Sequence, residues 1–132
     1  MITLGIDFGL KKVGLALGYG SLAEPYQVIR ELDTSKLVEQ IKQIVEKERV
    51  EKIVVGISDG EIAIKARQFG LVLKENLEIP VEFFDETLTT QDAQRLAIEA
   101  GIKRSKRKNM EDAYAAAVML QGYTDQLKNE FN

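Results

Sequence analysis

The sequence predicts an α/β fold in which a mixed five-stranded sheet carries helices on both faces. Three observations lead there. Residues 2–8 and 13–18 alternate apolar with small or polar side chains, and the short link between them begins with Gly9, as in an antiparallel hairpin. Residues 52–57 form a continuous apolar run, which suits a central strand covered on both faces. Beyond that run, strand patterns alternate with amphipathic helical ones, which calls for parallel strands beside the opening hairpin.

Taken in order, the first strand is Ile2 to Phe8 and the second places Val13, Leu15 and Leu17 against Gly14, Ala16 and Gly18. A third strand is expected at residues 26–31, after Pro25. Asp33, Thr34 and Ser35 are N-cap candidates for a helix whose apolar face is Leu37, Ile41, Ile44 and Val45. The central strand, 52–57, follows. Ile62, Ala66, Phe69, Leu73 and Leu77 mark a second helix, and Val81 to Phe84 a fifth strand after Pro80. Thr89 and Asp92 have capping-box spacing before a third helix that Gly101 ends. A basic stretch then leads to a last helix from about Met110 to about Lys128. No repeat, low-complexity tract or linker divides the chain, so residues 1–132 are expected to form one domain.

Composition limits the chemistry. With no cysteine and no histidine, Ser-His-Asp and Cys-His catalysis and zinc-thiolate sites cannot be built. Carboxylates, lysines, hydroxyls and bound cations remain, and carboxylates favour hard cations such as Mg²⁺ or Mn²⁺. The net charge of −3 does not advertise nucleic-acid binding, so any such signal must be local. No apolar run is long enough for a membrane span and no signal peptide is visible, so the expected setting is cytoplasmic.

Three carboxylates stand out. Asp7 closes the first strand just before Gly9, Glu86 follows the fifth strand, and Asp112 lies in the first turn of the last helix. Singly, each has a bland explanation: a turn former, a solvated strand end, a charge favoured by the helix dipole. Together they can meet at one sheet edge, where functional sites of α/β folds lie. Carboxylates so placed repel one another unless cations neutralise them, and nucleases use two divalent ions about 3.5–4 Å apart for this. Ala113, Ala115, Ala116 and Ala117 after Asp112 would let this helix start lie close to the sheet. Lys103, Arg104, Lys106, Arg107 and Lys108 form a basic run just before Asp112, read either as a solvated connector or as a phosphate-binding loop.

These residues carry a family resemblance. The segments Leu4-Gly5-Ile6-Asp7-Phe8-Gly9 through Val13-Gly14-Leu15-Ala16, Ile53-Val54-Val55-Gly56-Ile57, Phe84-Asp85-Glu86-Thr87-Leu88-Thr89-Thr90, and Ala100-Gly101 through Lys106-Arg107-Lys108 to Asp112-Ala113 occur in order. Together they resemble the YqgF family, also called RuvX, of Holliday-junction-resolvase-like proteins in the ribonuclease-H-like superfamily. The match covers Leu4 to about Tyr123. The resemblance implies a ribonuclease-H-like fold and a nuclease for structured nucleic acid, either maturing the 5′ end of precursor 16S ribosomal RNA or resolving junctions. It implies Asp7, Glu86 and Asp112 as catalytic residues and ligands of Mg²⁺ or Mn²⁺. The nucleic acid, RNA or DNA, is expected on Lys11, Lys12, Lys103, Arg104, Lys106, Arg107 and Lys108, and the protein as a monomer or homodimer. Thr87 stands where the family usually has Arg, and the loop Ser58-Asp59-Gly60-Glu61 lacks the family's usual Pro and Asn.

Two other readings compete. A non-catalytic nucleic-acid-binding module of the same fold would need the basic loop but not the carboxylates. An actin-like nucleotide fold could use the turn from Asp7 to Gly9, but the chain is too short for the two domains that enclose a nucleotide.

Overall fold

The computed structural model of the protein describes residues 1–31, 33–86 and 110–131. Its strands are β1 (Ile2–Phe8), β2 (Val13–Tyr19), β3 (Leu22–Ile29), β4 (Lys52–Ile57) and β5 (Val81–Asp85). The helices among the described residues are α1 (Thr34–Glu48), α2 (Gly60–Asn76) and α3 (Glu111–Phe131). The strands form one mixed sheet in the order β3-β2-β1-β4-β5. β1, β2 and β3 run antiparallel in sequence, while β4 lies parallel to both β1 and β5. The helix expected between Thr89 and Gly101 and the basic stretch after it lie outside the described residues.

Local chemistry explains the boundaries. The link between β1 and β2 closes with the Gly9 amide donating to the Lys12 carbonyl at 3.0 Å. Asp33 is the N-cap of α1, its carboxylate accepting from the Lys36 amide at 3.0 Å, and this satisfies one of the first-turn donors. α1 ends at Arg49, which takes a left-handed conformation and donates its amide to the Val45 carbonyl.

The third strand differs from expectation. It spans Leu22–Ile29 rather than 26–31, so Pro25 lies inside it. Pro is tolerated there because β3 is an edge strand, where a missing amide donor costs no ladder bond. The register also shifts at this point: Leu15 pairs with Gln27 and Ala16 with Pro25, so Tyr26 is left over as a bulge.

Alternation along β1 divides the core in two. Leu4 and Ile6 face the layer of α1 and α2, where Ile41, Phe69 and Leu73 are buried with Val13, Leu15 and Ile53. The opposite face is covered by α3 through Ala116, Ala117, Met119 and Leu120, packed on Ala16, Val54 and Phe84. Helices therefore cover both faces, as the sequence predicts. α3 comes very close to the sheet. A β-carbon on Gly5 would stand 2.9 Å from the Leu120 side chain, and one on Gly18 would stand 3.3 Å from it.

Polar groups anchor the same helix. Gln121 is fully buried; its side-chain oxygen accepts from the Ala23 amide at 2.9 Å, and its side-chain nitrogen donates to the Ser21 carbonyl at 2.8 Å. This one amide ties α3 to the β2-β3 hairpin. Farther along, Tyr123 donates to Glu82 and accepts from the Lys52 ammonium at 2.6 Å, which fastens α3 to β4 and β5. None of the described helices is long and apolar enough to cross a membrane.

Replacing Gln121 with Met keeps the volume but leaves the buried Ala23 amide without its acceptor. The expected loss is about 1–3 kcal/mol, the cost of an unsatisfied buried donor. Urea unfolding should show a lower midpoint at an unchanged slope, and an unaltered midpoint would refute this role for Gln121.

Candidate active site

The site is built around the last turn of β1. Asp7 sits on the α3 face, and its register partners are Gly14 in β2 and Gly56 in β4. Both neighbours thus lack a side chain on the face that carries the carboxylate. Each gap is filled from elsewhere. A β-carbon on Gly14 would lie 1.9 Å from the Asp112 carbonyl oxygen, so the first turn of α3 rests directly on β2 there. A β-carbon on Gly56 would lie 2.5 Å from a Glu86 carboxyl oxygen, so the Glu86 side chain occupies the place beside Asp7. Of the alanines expected to let α3 lie close to the sheet, Ala113, Ala116 and Ala117 are fully buried and Ala115 is exposed. Gly14 and Gly56 are not among the residues expected to matter here. The available signal is glycine inside a strand, which often marks close approach by another group.

The structure brings Asp7 and Glu86 together as a hydrogen-bonded pair. Burial pushes the Glu86 carboxyl up to about 8, helped by the Asp7 charge, by the hydrogen bond to Asp7 and by the Asp85 charge. Glu86 is therefore the protonated partner, and its hydroxyl donates to the Asp7 carboxylate. Burial also raises Asp7; the bond from Glu86 acts in the opposite sense, and the Asp112 charge adds to the rise. Asp112 is close enough to act on Asp7 electrostatically, and its own side chain meets the Lys12 ammonium at 3.5 Å. Among the described residues, no group of three or more acidic side chains is arranged as it stands to hold a metal ion.

Of the expected cationic residues, Lys12 is thus at the site, and Lys11 is exposed in the same turn. Lys103, Arg104, Lys106, Arg107 and Lys108 lie outside the described residues, as does Thr87. On the other side of Glu86, Ser58, Asp59, Arg67 and Asp85 line an open cleft of about 600 Å³ at the carboxyl ends of β4 and β5. The short loop noted in the sequence forms part of its wall.

The half-buried carboxyl pair holds a proton where its two charges would otherwise repel. All of its donors are oxygen, which suits a hard divalent cation, and such a cation would replace the proton as the neutralising charge. Sheet order, helices on both faces and acidic residues at the β1 edge define a resolvase-like nuclease fold of the ribonuclease-H type. The structure of Thermus thermophilus RuvC superposes with a TM-score of 0.65 at 19% identity, covering 96% of each chain. The fowlpox virus Holliday junction resolvase superposes with a TM-score of 0.62 at 12% identity, covering 96% of this chain and 99% of that one. Residues 1–126 match the family profile described as "RuvX: Holliday junction resolvase", and the chain belongs to that family. A relative from Caldanaerobacter subterraneus is 41% identical and one from Clostridium botulinum strain Alaska E43 is 37% identical; both are named "Putative pre-16S rRNA nuclease". The matches cover 98% and 96% of this chain, and 99% and 98% of those relatives. The chain is thus a hydrolase of the nuclease class.

The carboxyl pair contributes to the pH dependence of stability. The folded state holds the Glu86 proton more tightly than the unfolded chain does, and Asp7 is shifted in the same direction. Their contribution to stability is complete below the ordinary carboxylate range and is lost as pH rises through about 8. Urea midpoints measured in chelator should fall between pH 5 and pH 8 (roughly the span from the free to the shifted value). Glu86→Gln, which can still donate to Asp7 but does not titrate, should flatten that decline. An equal decline in the variant would show that the pair is not its source.

Proposed function

We propose that the protein is a divalent-metal-dependent nuclease, with Asp7, Glu86 and Asp112 holding the ions, and that it trims the 5′ end of precursor 16S ribosomal RNA. The observation that carries this reading is the Asp7–Glu86 pair, in which Glu86 fills the gap over Gly56 and burial raises the pKa values of both carboxyls. The rRNA assignment is supported by relatives that match almost end to end and bear that name. Junction resolution is the second reading, favoured by the description of the family. End trimming needs only a monomer, whereas symmetric resolution needs a homodimer. The span 1–132 acts as one domain, and the reaction is placed in the cytoplasm.

Asp7, Glu86 and Asp112 would hold Mg²⁺ or Mn²⁺, which would supply positive charge for activating water and stabilising the leaving oxygen. The chain's own residues do the rest. Asp7 is fixed by β1 and lies nearest the centre of the acidic group. Glu86 gives up its proton when its carboxylate is needed as a ligand. Asp112 becomes available once Lys12 turns from it, and the released ammonium can then meet a substrate phosphate. Lys11 and the run Lys103, Arg104, Lys106, Arg107 and Lys108 supply cations for the backbone of the nucleic acid. Phosphate contacts of this kind position a substrate without reading its bases.

Asp7→Asn should abolish cleavage of a precursor rRNA fragment and of a four-way DNA junction while leaving the fold intact. Millimolar Mn²⁺ should raise the melting temperature of the wild type by linkage, and Asp7→Asn and Asp112→Asn should lose most of that rise. Cleavage at the wild-type rate in Asp7→Asn would exclude the assigned site. The substrate panel also separates the two readings, since only one substrate should be cut efficiently.

Replacing Lys106, Arg107 and Lys108 with Ala tests the basic loop. The slope of log affinity against log salt should flatten by up to about three units, because each lost phosphate contact releases fewer counterions. Asp7→Asn should keep the wild-type slope. A salt titration with Ca²⁺ in place of the active ion measures both, and an unchanged slope in the triple variant would remove the loop from the interface.

A further inference from the structure

A second concave feature near the acidic edge lies on the other face of the sheet. A cavity of about 430 Å³ opens between the turn after β1, the start of α1 and one side of α2. Its floor is apolar: Phe8 and Phe69 stack with ring centroids 5.3 Å apart, beside Leu37 and Val72. Its rim is polar and mainly cationic. Lys11 and Lys65 are exposed there, Gln68 and Thr34 offer hydrogen-bonding groups, and Glu31 is the single carboxylate among the lining residues. Lys65, Gln68 and this cavity have no part in the acidic site on the other face.

Its position gives it a purpose. Asp7 and Phe8 are consecutive, so their side chains project from opposite faces of β1. The turn from Gly9 to Lys12 wraps the edge between them. Lys12 lines the cavity and also reaches Asp112 at 3.5 Å. A strand crossing the edge with one phosphate at the carboxylates would bring a neighbouring nucleotide over this turn. The cavity falls within the range of small-ligand sites and exceeds the needs of one base. An apolar, aromatic floor with cations at the mouth matches an unstacked nucleotide: base inside, phosphate on the rim.

We propose that this cavity receives a single splayed-out nucleotide of the substrate, its base against Phe8 and Phe69 and its phosphate on Lys11 and Lys65. The placement of that nucleotide next to the cleaved bond rests on the nuclease reading, but its binding does not require cleavage. Recognition by shape and stacking accepts any base, so the cavity fixes the path of the strand rather than its sequence.

The test has two arms. In the first, ¹⁵N-labelled protein in chelator is titrated with a nucleoside monophosphate, with inorganic phosphate as the control. The monophosphate should shift the amides of Phe8, Gly9 and Lys65 to Phe69, and phosphate alone should leave Phe8 and Phe69 unmoved. Gln68→Trp places a bulky ring at the mouth from an exposed helix position and should abolish the shifts. In the second, Gln68→Trp and Lys65→Ala should each bind an oligonucleotide roughly tenfold more weakly in Ca²⁺, the scale of one lost stacked base or phosphate contact. Both should keep the wild-type melting temperature and its rise with Mn²⁺. The proposal is overturned if the monophosphate leaves the cavity amides unmoved, if Gln68→Trp shifts as wild type does, if phosphate alone reproduces the whole effect, or if both variants bind the oligonucleotide as tightly as wild type. Loss of cleavage in Asp7→Asn alongside unaffected cavity variants would leave the nuclease reading standing and remove the cavity. Nucleotide binding in the cavity without cleavage by the wild type would do the reverse.

Discussion

The site depends on a steric constraint at the end of β1. Asp7 has no side chain beside it on either neighbouring strand, because its register partners are Gly14 and Gly56. Those gaps admit the backbone of α3 on one side and the Glu86 carboxyl on the other. A methyl group at Gly14 would collide with the Asp112 carbonyl and lift the helix start from the sheet. One at Gly56 would meet Glu86 and Met119. Two missing side chains thus determine how closely the start of α3 and the Glu86 side chain approach Asp7.

Close packing has an electrostatic cost, which the protein meets in two ways without a metal. Glu86 keeps its proton and shares it with Asp7. Lys12 places its ammonium against Asp112. Both are reversible: a proton can leave, and a half-exposed lysine can turn. With both in place, one negative charge of the three carboxyls remains uncompensated, on Asp7. Fully apolar surroundings would hold the protons too firmly, and full exposure would leave the carboxylates too weakly coupled to act as a unit.

The rest of the molecule keeps this edge rigid. α3 is pinned at its start by the contact with Gly14, in its middle by Leu120 over Gly5 and Gly18, and farther on by Gln121 and Tyr123. The opposite layer is packed through Ile41, Phe69 and Leu73. The turn from Gly9 to Lys12 links the two faces at the acidic edge, since Lys12 lines the cavity on one and meets Asp112 on the other. Its glycine is needed because a β-carbon on Gly9 would stand 2.7 Å from the Lys12 carbonyl oxygen.

Much of this was legible in the sequence. Period-two alternation marked the opening hairpin, the apolar run at 52–57 marked the central strand, and amphipathic spacing marked the helices, because each pattern records which faces an element buries. Asp7, Glu86 and Asp112 could be picked out as carboxylates at element ends. Pro25 misled the reading of β3, since whether a proline is tolerated depends on which strand lies at the edge, and edge position is a property of the assembled sheet. Only the tertiary structure decided that Asp7 would be flanked by Gly14 and Gly56, that Glu86 would share its proton with Asp7, and that Lys12 would reach Asp112. The flanking of Asp7 is a matter of strand register, which is fixed by the packing of whole faces rather than by any local pattern, and the other two join residues about 80 to 100 positions apart in the chain.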